Sequence, residues 1–582
     1  MTKQEMKVTK RDGSIEMIDL DKIHKVVSWA AGGLENVSVS QVELKAQIQF
    51  YNGVTTKDIH NTLIKSAADL ISEETPDYQY LAARLAIFQL RKIAYGEFTP
   101  PHLHQHVKRM VEMGKYDNEL LNAYTETEYD ELNNYINHDR DMDLAYVAVK
   151  QMEGKYLVQD RTTGRVFESP QFLFMLVGVA LFAKEDKSVR MSLVKKFYDT
   201  VSTFKVTLPS PVMNGVRTPT KQFASCCLIE AEDSLDSING VSNAVVNYIS
   251  QRAGIGINGG AIRALGSPIR GGEAVHTGII PFWKLFQAAV KSCSQGAMRG
   301  GAATVFYPLW HLEVESLLVL KNNRGVEENR IRQMDYGVQI NKTLYTRLIK
   351  NGNITLFSPN EVPGLYEAFF ADQEEFERLY TQYEADESIR KKVVPAVELF
   401  STLMQERAST GRIYIHNVDH TNTHSAFDPK QAPIHQSNLC LEITLPTKPI
   451  SAKDPSAGEI ALCTLSAINL GTITELSELE DIASITVRAL DNLLDYQDYP
   501  AEAARKSTMY RRTLGVGVIN FAYYLAKNGR FYSNGSGNNL THRTFEAIQY
   551  YLLKASMNLA KERGACPGFH ETTYSQGILP ID

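Results

Sequence analysis

The spacing of hydrophobic positions changes along the chain, and the changes divide it. Near the start, Val8-Thr9-Lys10 and Ile15-Glu16-Met17-Ile18 flank Asp12-Gly13, the pattern of a hairpin closed by an Asp-Gly turn. Ile23, Val26, Val27 and Ala30 then keep a 3.6-residue period up to Gly32-Gly33, which predicts a helix capped by Asp21. Ser40 with Glu43 three residues on predicts a capping box for a second helix. Thr56 or Asp58 opens a third, carrying Ile59, Leu63, Ala67 and Leu70, and a fourth runs from Tyr80 to Lys92. Two strands and four helices over residues 1–95 make a small module. Pro100-Pro101 marks its boundary, and residues 96–220 read as mainly helical, with the apolar run Phe172 to Ala183 as a buried helix. From Val206 onward short β-like runs alternate with Gly-rich turns and helices. Residues 221–582 therefore read as one large α/β domain.

One stretch of that domain carries chemistry. Leu439, Leu441, Ile443 and Leu445 alternate with Asn438, Cys440, Glu442 and Thr444, the period of an extended segment with one apolar face. In a strand, Asn438, Cys440 and Glu442 would point the same way, about 6.6 Å apart at roughly 3.3 Å of rise per residue. An amide, a thiol and a carboxylate in one row can hold a hydroxylated substrate, react through sulfur and accept a proton. The plainer alternative is a half-buried strand whose polar face meets solvent.

Composition narrows the classes. With 43% hydrophobic and 22% charged residues, the chain has ample material for a core. A net charge of -6 gives no basic field for nucleic acid. The longest apolar run falls short of the roughly 20 residues a membrane span needs, and the start lacks a signal-peptide core, so a cytoplasmic protein is expected. Six cysteines without a CxxC are too sparse for a disulfide framework. No metal is expected: His102, His104 and His106 follow Pro-Pro, while His416, His420 and His424 lack the Glu of HExxH. Gly254-Ile-Gly256-Ile-Asn-Gly259 matches GxGxxG but follows a helix, so a Rossmann turn is rejected; these glycines are expected to permit close backbone approach near a ligand.

Cys226 in Ser-Cys-Cys-Leu-Ile-Glu, Asn438-Leu-Cys440-Leu-Glu442, and Cys463 in Ala-Leu-Cys-Thr-Leu-Ser together resemble the large (alpha) subunit of class I ribonucleotide reductase, close to its bacterial class Ia branch. Val-Thr-Lys-Arg-Asp-Gly-Ser, Asp-Ser-Leu-Asp-Ser-Ile and Gly-Ser-Pro-Ile-Arg-Gly-Gly-Glu extend the resemblance along the chain. It implies a ten-stranded α/β barrel with a finger loop carrying Cys440, preceded by a helical region and an N-terminal ATP-cone. It implies reduction of ribonucleoside diphosphates, with Cys440 as the thiyl radical, Glu442 as base and Asn438 holding the sugar. Cys226 and Cys463 would supply two electrons. Ser210, Ser225 and Gly254, with Asn438 and Glu442, resemble substrate-binding positions. Ser210 stands where Thr is expected, and Cys227 where Val is usual.

Two regulatory sites carry over in the same way. Asp233, Ser234, Leu235, Arg263 and Arg270 resemble the specificity site for deoxynucleoside triphosphates, and Cys293, Gln295 and Arg299 its relay loop. Lys10, Glu16, Met17, Ile18, Asp19, Leu20, Asp21, Lys22, Thr56, His60 and Lys92 resemble the ATP/dATP activity site. The resemblance implies no tightly bound cofactor in this chain. The radical would come from a separate small (beta) subunit with a di-iron–tyrosyl centre, the electrons from thioredoxin or glutaredoxin, and the large subunit would be a homodimer. It also implies further barrel, beyond Leu579-Pro580-Ile581-Asp582, on a second polypeptide or a longer parent chain, without which the chain alone would not turn over. The competing class is a non-catalytic nucleotide-binding regulator.

Overall fold

The computed structural model describes residues 6–295, 299–579 and 581–582. The chain forms two compact units: residues up to 221 with 466–492 and 517–552, and residues 222–465 with 493–516 and 553–582.

The first unit begins with the expected hairpin. Lys7–Thr9 and Ile15–Met17 pair antiparallel, and Gly13 takes the left-handed conformation its turn requires, with φ +84°. A third strand, Val54–Thr55, adds parallel to the first. Two residues are too short to show a period, which is why the sequence suggests only two strands. The helices Leu20–Ala31, Val39–Gln47, Thr56–Ala68 and Tyr78–Tyr95 follow. Their caps shift from the expected positions. Asp19, not Asp21, has the extended backbone a cap needs, and its carboxylate accepts from the Asp21 and Lys22 amides. Ser38, not Ser40, accepts from the Gln41 amide, and Thr55 accepts from that of Asp58. Further on, Pro170–Leu181 is a helix buried on every side. Nearby, the fully buried Arg217 guanidinium pairs with the fully buried Glu168 carboxylate, which also accepts from the Tyr116 hydroxyl at 2.5 Å.

The second unit is built on one sheet. Ile413–Asn417, Asp335–Ile340, Ala303–Pro308, Gly254–Asn258 and Cys226–Glu230 lie side by side, all parallel, and Ala461–Leu462 closes the edge antiparallel to Cys226–Glu230. Helices such as Leu235–Ser250, Ile280–Ser292 and Ala396–Thr410 make the crossovers that parallel strands require. This strand–helix repeat is the architecture of a parallel α/β barrel wall. Every residue of Cys226–Glu230, Gly254–Asn258 and Ala303–Pro308 is buried, the signature of strands covered on both faces. Alternation then sorts the side chains. Cys227, Ile229, Ile255 and Ile257 join the large core under the helices, whereas Cys226 and Leu228 join a separate small cluster with Ala461 and Cys463.

Away from the sheet, Arg511 in the helix Glu502–Arg511 ties two distant segments, pairing with Glu459 and, at 2.9 Å, with Glu571. Lys448 adds a second cation to Glu459 at 2.8 Å. Arg511 and both carboxylates are buried while Lys448 is exposed, so removing the arginine strands Glu571 and leaves Glu459 with Lys448 alone. Arg511→Ala is expected to destabilise the protein by about 3–5 kcal/mol, the usual penalty for breaking a buried ion pair from one side. Urea unfolding checks this.

Candidate active site

The Asn438–Leu445 stretch is not a strand. Leu439 and Cys440 occupy a turn and Leu441 has a left-handed backbone, φ +66°, which no continuous strand accommodates. Ser437 and Thr444 bridge antiparallel across the base. Inside the loop, Asn438 Oδ1 accepts from the amides of Glu442 at 3.1 Å and Ile443 at 3.2 Å, and Ser437 Oγ donates to Ile443 O at 2.6 Å. The alternating leucines misled because their apolar side chains do pack together. Leu439, Ile443 and Leu445 rest on Cys226, Leu228, Ala461 and Cys463, but from a loop rather than a ladder.

The loop lies directly on the Gly254–Asn258 strand. A Cβ on Gly254 would come within 2.6 Å of Leu439 Cδ2, and one on Gly256 within 2.8 Å of Asn438 Cα. Close approach is thus what these glycines provide, and what they admit is the loop itself. Thr304 Oγ1, on the neighbouring strand, holds the tip by donating to Leu439 O at 2.7 Å.

Beneath the loop are the two sulfurs. Cys463 N donates to Cys226 O at 3.0 Å, extending the antiparallel pairing so that the two residues face each other. All six cysteines are free thiols. A hydrogen bond between the sulfurs favours the thiolate at Cys226, against its burial, and holds the proton on Cys463, whose pKa lies well above the ordinary thiol value. Asn438 beside Cys226 also favours its thiolate, and the Glu442 charge acts on Cys226, Cys440 and Cys463. Burial, followed by the charges of Cys226 and Glu442, pushes the Cys440 thiol up to about 11. Asn438 is buried, with its Nδ2 unpartnered among the described residues, while Cys440 and Glu442 reach the surface. Five side chains from three chain segments therefore converge as two stacked thiols, a third kept protonated, a carboxylate and a free amide donor.

Residues 224–582 match the family described as "Ribonucleotide reductase, barrel domain", residues 142–221 "Ribonucleotide reductase, all-alpha domain", and residues 6–93 "ATP cone domain". The chain belongs to the ribonucleotide reductase large-subunit family. It is 71% identical over 579 residues to "Ribonucleoside-diphosphate reductase 1 subunit alpha" of Escherichia coli K12, covering 100% of this chain and 76% of that protein. The subunit alpha of Haemophilus influenzae is 68% identical over 575 residues, 99% of this chain and 76% of its own length. That of phage T4 is 52% identical over 584 residues, with 100% and 76% covered.

The other positions suggested by resemblance to the reductase family fall as follows. Ser225 is half-buried beside Cys226, and its carbonyl accepts from Gly254 N at 2.8 Å. Ser210 opens the short helix Ser210–Gly215 of the first unit. Asp233 and Arg263 form an ion pair at 2.7 Å, and Ser234 caps the helix Leu235–Ser250 with the exposed Leu235 as its first residue. Arg270 is exposed in a neighbouring hairpin, against Glu273 at 3.6 Å. His276, which the sequence did not single out, feels the charges of both Asp233 and Arg263, and burial lowers its pKa. Cys293 is half-buried; Gln295 and Arg299 pair through their backbones, and their side chains with residues 296–298 lie outside the described residues. In the ATP-cone, Lys10 pairs with Glu16 at 2.8 Å, and Lys22 approaches Glu16 and Asp19. His60 stacks on Phe88 at 5.1 Å, with Lys92 over the same ring. Burial, then the charges of Arg11 and Lys92, press His60 down to about 4. Arg11 sits in the Lys-Arg-Asp-Gly run and was the readable signal the sequence offered. Among the described residues no cluster of His, Cys, Asp or Glu could hold a metal, and no helix is long and apolar enough to cross a membrane.

The raised Cys440 pKa has a direct consequence. At pH 8 its thiolate fraction should be about a hundredfold below that of an ordinary cysteine, so alkylation is slow although the residue is exposed. The rate should climb about tenfold per pH unit up to pH about 11. Peptide-resolved iodoacetamide kinetics measure it; a plateau near pH 9 would contradict the burial argument.

Proposed function

We propose that this chain is the catalytic large subunit of a class Ia-like ribonucleotide reductase, converting ribonucleoside diphosphates to 2′-deoxyribonucleoside diphosphates by thiyl-radical chemistry. The observation carrying this reading is the facing, hydrogen-bonded Cys226 and Cys463 beneath a loop that presents Cys440. Two thiols hold two electrons and two hydrogens, which is what replacing a ribose 2′ hydroxyl by hydrogen requires. The hydroxyl leaves as water, and the sulfurs close as a disulfide. Cys440 is the radical site that takes the 3′ hydrogen; a thiol held neutral by burial is a hydrogen-atom donor and acceptor rather than a stray nucleophile. Glu442 takes the 3′-hydroxyl proton. The free Nδ2 of Asn438 is a donor waiting for a ribose hydroxyl, and Ser225 and Gly254 complete the substrate site of the second unit; Ser210, in the first unit, is a further substrate-binding position by resemblance.

Residues 1–95 act as the activity module, 96–220 as the helical domain and 221–582 as barrel. Asp233, Ser234, Leu235, Arg263 and Arg270 read the effector, and Cys293, Gln295 and Arg299 relay its identity. Arg11 and Lys92 beside His60, with Lys10 and Lys22 against Glu16, are cations that suit a triphosphate at the cone. A small subunit supplies the radical, thioredoxin or glutaredoxin re-reduces the disulfide, and the large subunit works as a cytoplasmic homodimer.

Two measurements test the reading. Mild oxidation should produce one disulfide, Cys226–Cys463, by peptide mapping; Cys227 points into the opposite core and should stay reduced. In an assembly with the small subunit and the part of the relatives outside the match, Cys440→Ser should abolish reduction. Nucleotide binding without reduction by the unsubstituted chain in that assembly would favour the non-catalytic regulator. Separately, Lys92→Ala should weaken ATP binding to the cone about tenfold by calorimetry, the scale of one lost charge-assisted phosphate contact.

A further inference from the structure

The loop that carries Cys440 enters and leaves the second unit through two limbs, and one buried carboxylate touches both. Glu230 ends the strand Cys226–Glu230. Its Oε1 lies 2.8 Å from His435 Nδ1, and its Oε2 3.0 Å from the same nitrogen, three residues before Asn438. On the outgoing limb, Thr447 Oγ1 donates to Glu230 Oε2 at 2.9 Å. The limbs are cross-linked as well, since Thr447 Oγ1 is 3.2 Å from Gln436 Oε1. Gln436 Nε2 donates to Ile229 O and Gly256 O, and Gln339 Nε2 donates to His435 O at 2.6 Å. Neither Glu230 nor His435 touches the sulfurs.

We infer that Glu230 and a protonated His435 form a clasp that positions the Cys440 loop over Cys226 and Cys463, and that the clasp opens as His435 loses its proton. Because Glu230 and Cys226 share one short strand, whatever fixes the loop to Glu230 also fixes the distance from Cys440 to the dithiol. Both residues are positioning residues.

The charged groups facing His435 are Glu230 on the sheet and Glu367 on the helix Leu365–Ala371. Tyr366 of that helix is linked to Glu230 through Asn258, whose Nδ2 is 2.9 Å from the Tyr366 hydroxyl and 3.3 Å from Glu230 Oε1. Phe370 packs on the imidazole at 4.7 Å, and Gln339 is neutral. Burial alone would strip the proton from His435; the Glu230 charge and hydrogen bond, helped by Glu367, outweigh it, and the pKa lies above the ordinary histidine value. The sign follows. A histidine whose folded pKa is raised contributes fully below its unfolded value near 6.5, and the contribution is lost as pH rises through the folded value. The clasp is therefore closed in mildly acidic solution and loosens on the alkaline side.

The inference matters for reduction only if the reductase reading holds, but its test needs no turnover. Cys440 alkylation is followed by peptide mass spectrometry from pH 6 to 10 on the full chain, with thermal melts as a folding control. A loosened loop hydrates the thiol, and a pKa lowered by one unit raises the thiolate fraction tenfold. His435→Asn and Thr447→Val are each expected to speed alkylation about tenfold at pH 6.5. His435→Arg, permanently charged, should keep the slow wild-type rate and lose the additional alkaline rise that the wild type shows. Glu230→Gln should speed it without further effect from His435→Asn. Wild-type rates in His435→Asn across the whole range, with unchanged melting, would overturn the clasp. So would equal acceleration in His435→Asn and His435→Arg, which would mean that ring shape rather than charge holds the loop. Should the clasp fail while the Cys226–Cys463 disulfide still forms, the reductase reading survives it.

Discussion

The candidate active site depends on a backbone passing where a side chain would otherwise be. The Asn438–Glu442 loop sits against the Gly254–Asn258 strand so closely that a methyl group on Gly254 or Gly256 would overlap it. Two glycines spaced by two project to the same face of a strand, so they clear a lane rather than a point. The loop needs that lane because it has no ladder of its own. Its amides are satisfied by the Asn438 carboxamide, its tip by Thr304, and its limbs by Glu230, Gln436 and Gln339. Those partners belong to three strands of the parallel sheet or to the loop itself, so the sheet is the template and the loop takes its shape from it.

The same alternation explains why adjacent cysteines differ in chemistry. Cys226 and Cys227 project to opposite faces of a doubly covered strand. Burial, then the Cys226 charge, holds the pKa of Cys227 well above the ordinary thiol value, and its thiol lies 3.8 Å from Gly254 O. Cys226 faces a second sulfur across an antiparallel pair, and sharing one proton between two sulfurs costs less than ionising either alone. A two-electron couple thus arises where two strands bring thiols into register, without a CxxC. Sequence spacing cannot announce such a pair, because 236 intervening positions separate its members along the chain.

Much of the fold was readable because it rests on local rules. The Asp-Gly hairpin, the four helices of the cone, the buried helix after Pro170 and the helical stretches of the α/β domain all follow from period and turn chemistry. Caps were off by two residues because Asp19 and Asp21, or Ser38 and Ser40, offer the same side chains, and only backbone conformation chooses between them. The loop was misread for a deeper reason. Period two reports that alternate residues are buried, and Leu439, Ile443 and Leu445 are indeed packed, yet burial against a neighbouring cluster leaves the same trace as burial in a sheet. Of the site, the residue types were legible in Asn438, Cys440 and Glu442. Their supports were not: His435 and Thr447 lie 205 and 217 residues from the carboxylate they share, and nothing local marks them.

The cone shows the opposite economy. Around His60 the protein gathers Arg11 and Lys92, and their charges, added to burial, keep the imidazole neutral at physiological pH. Its Nδ1 is buried without a partner among the described residues. Cations held near one another and a polar atom left unsatisfied both cost free energy in the empty state. Under the proposed effector reading, an anion entering between them would relieve the repulsion and accept from these donors, so part of the binding energy would be stored in the fold beforehand. At the thiol site the protein instead satisfies nearly every group before substrate arrives, leaving open chiefly the Asn438 donor and the Glu442 carboxylate. A pocket proposed to regulate gains from being unstable without its effector, because occupancy must change it. A site proposed to carry a radical gains from being finished in advance, because loop motion would carry the Cys440 sulfur away from its partners.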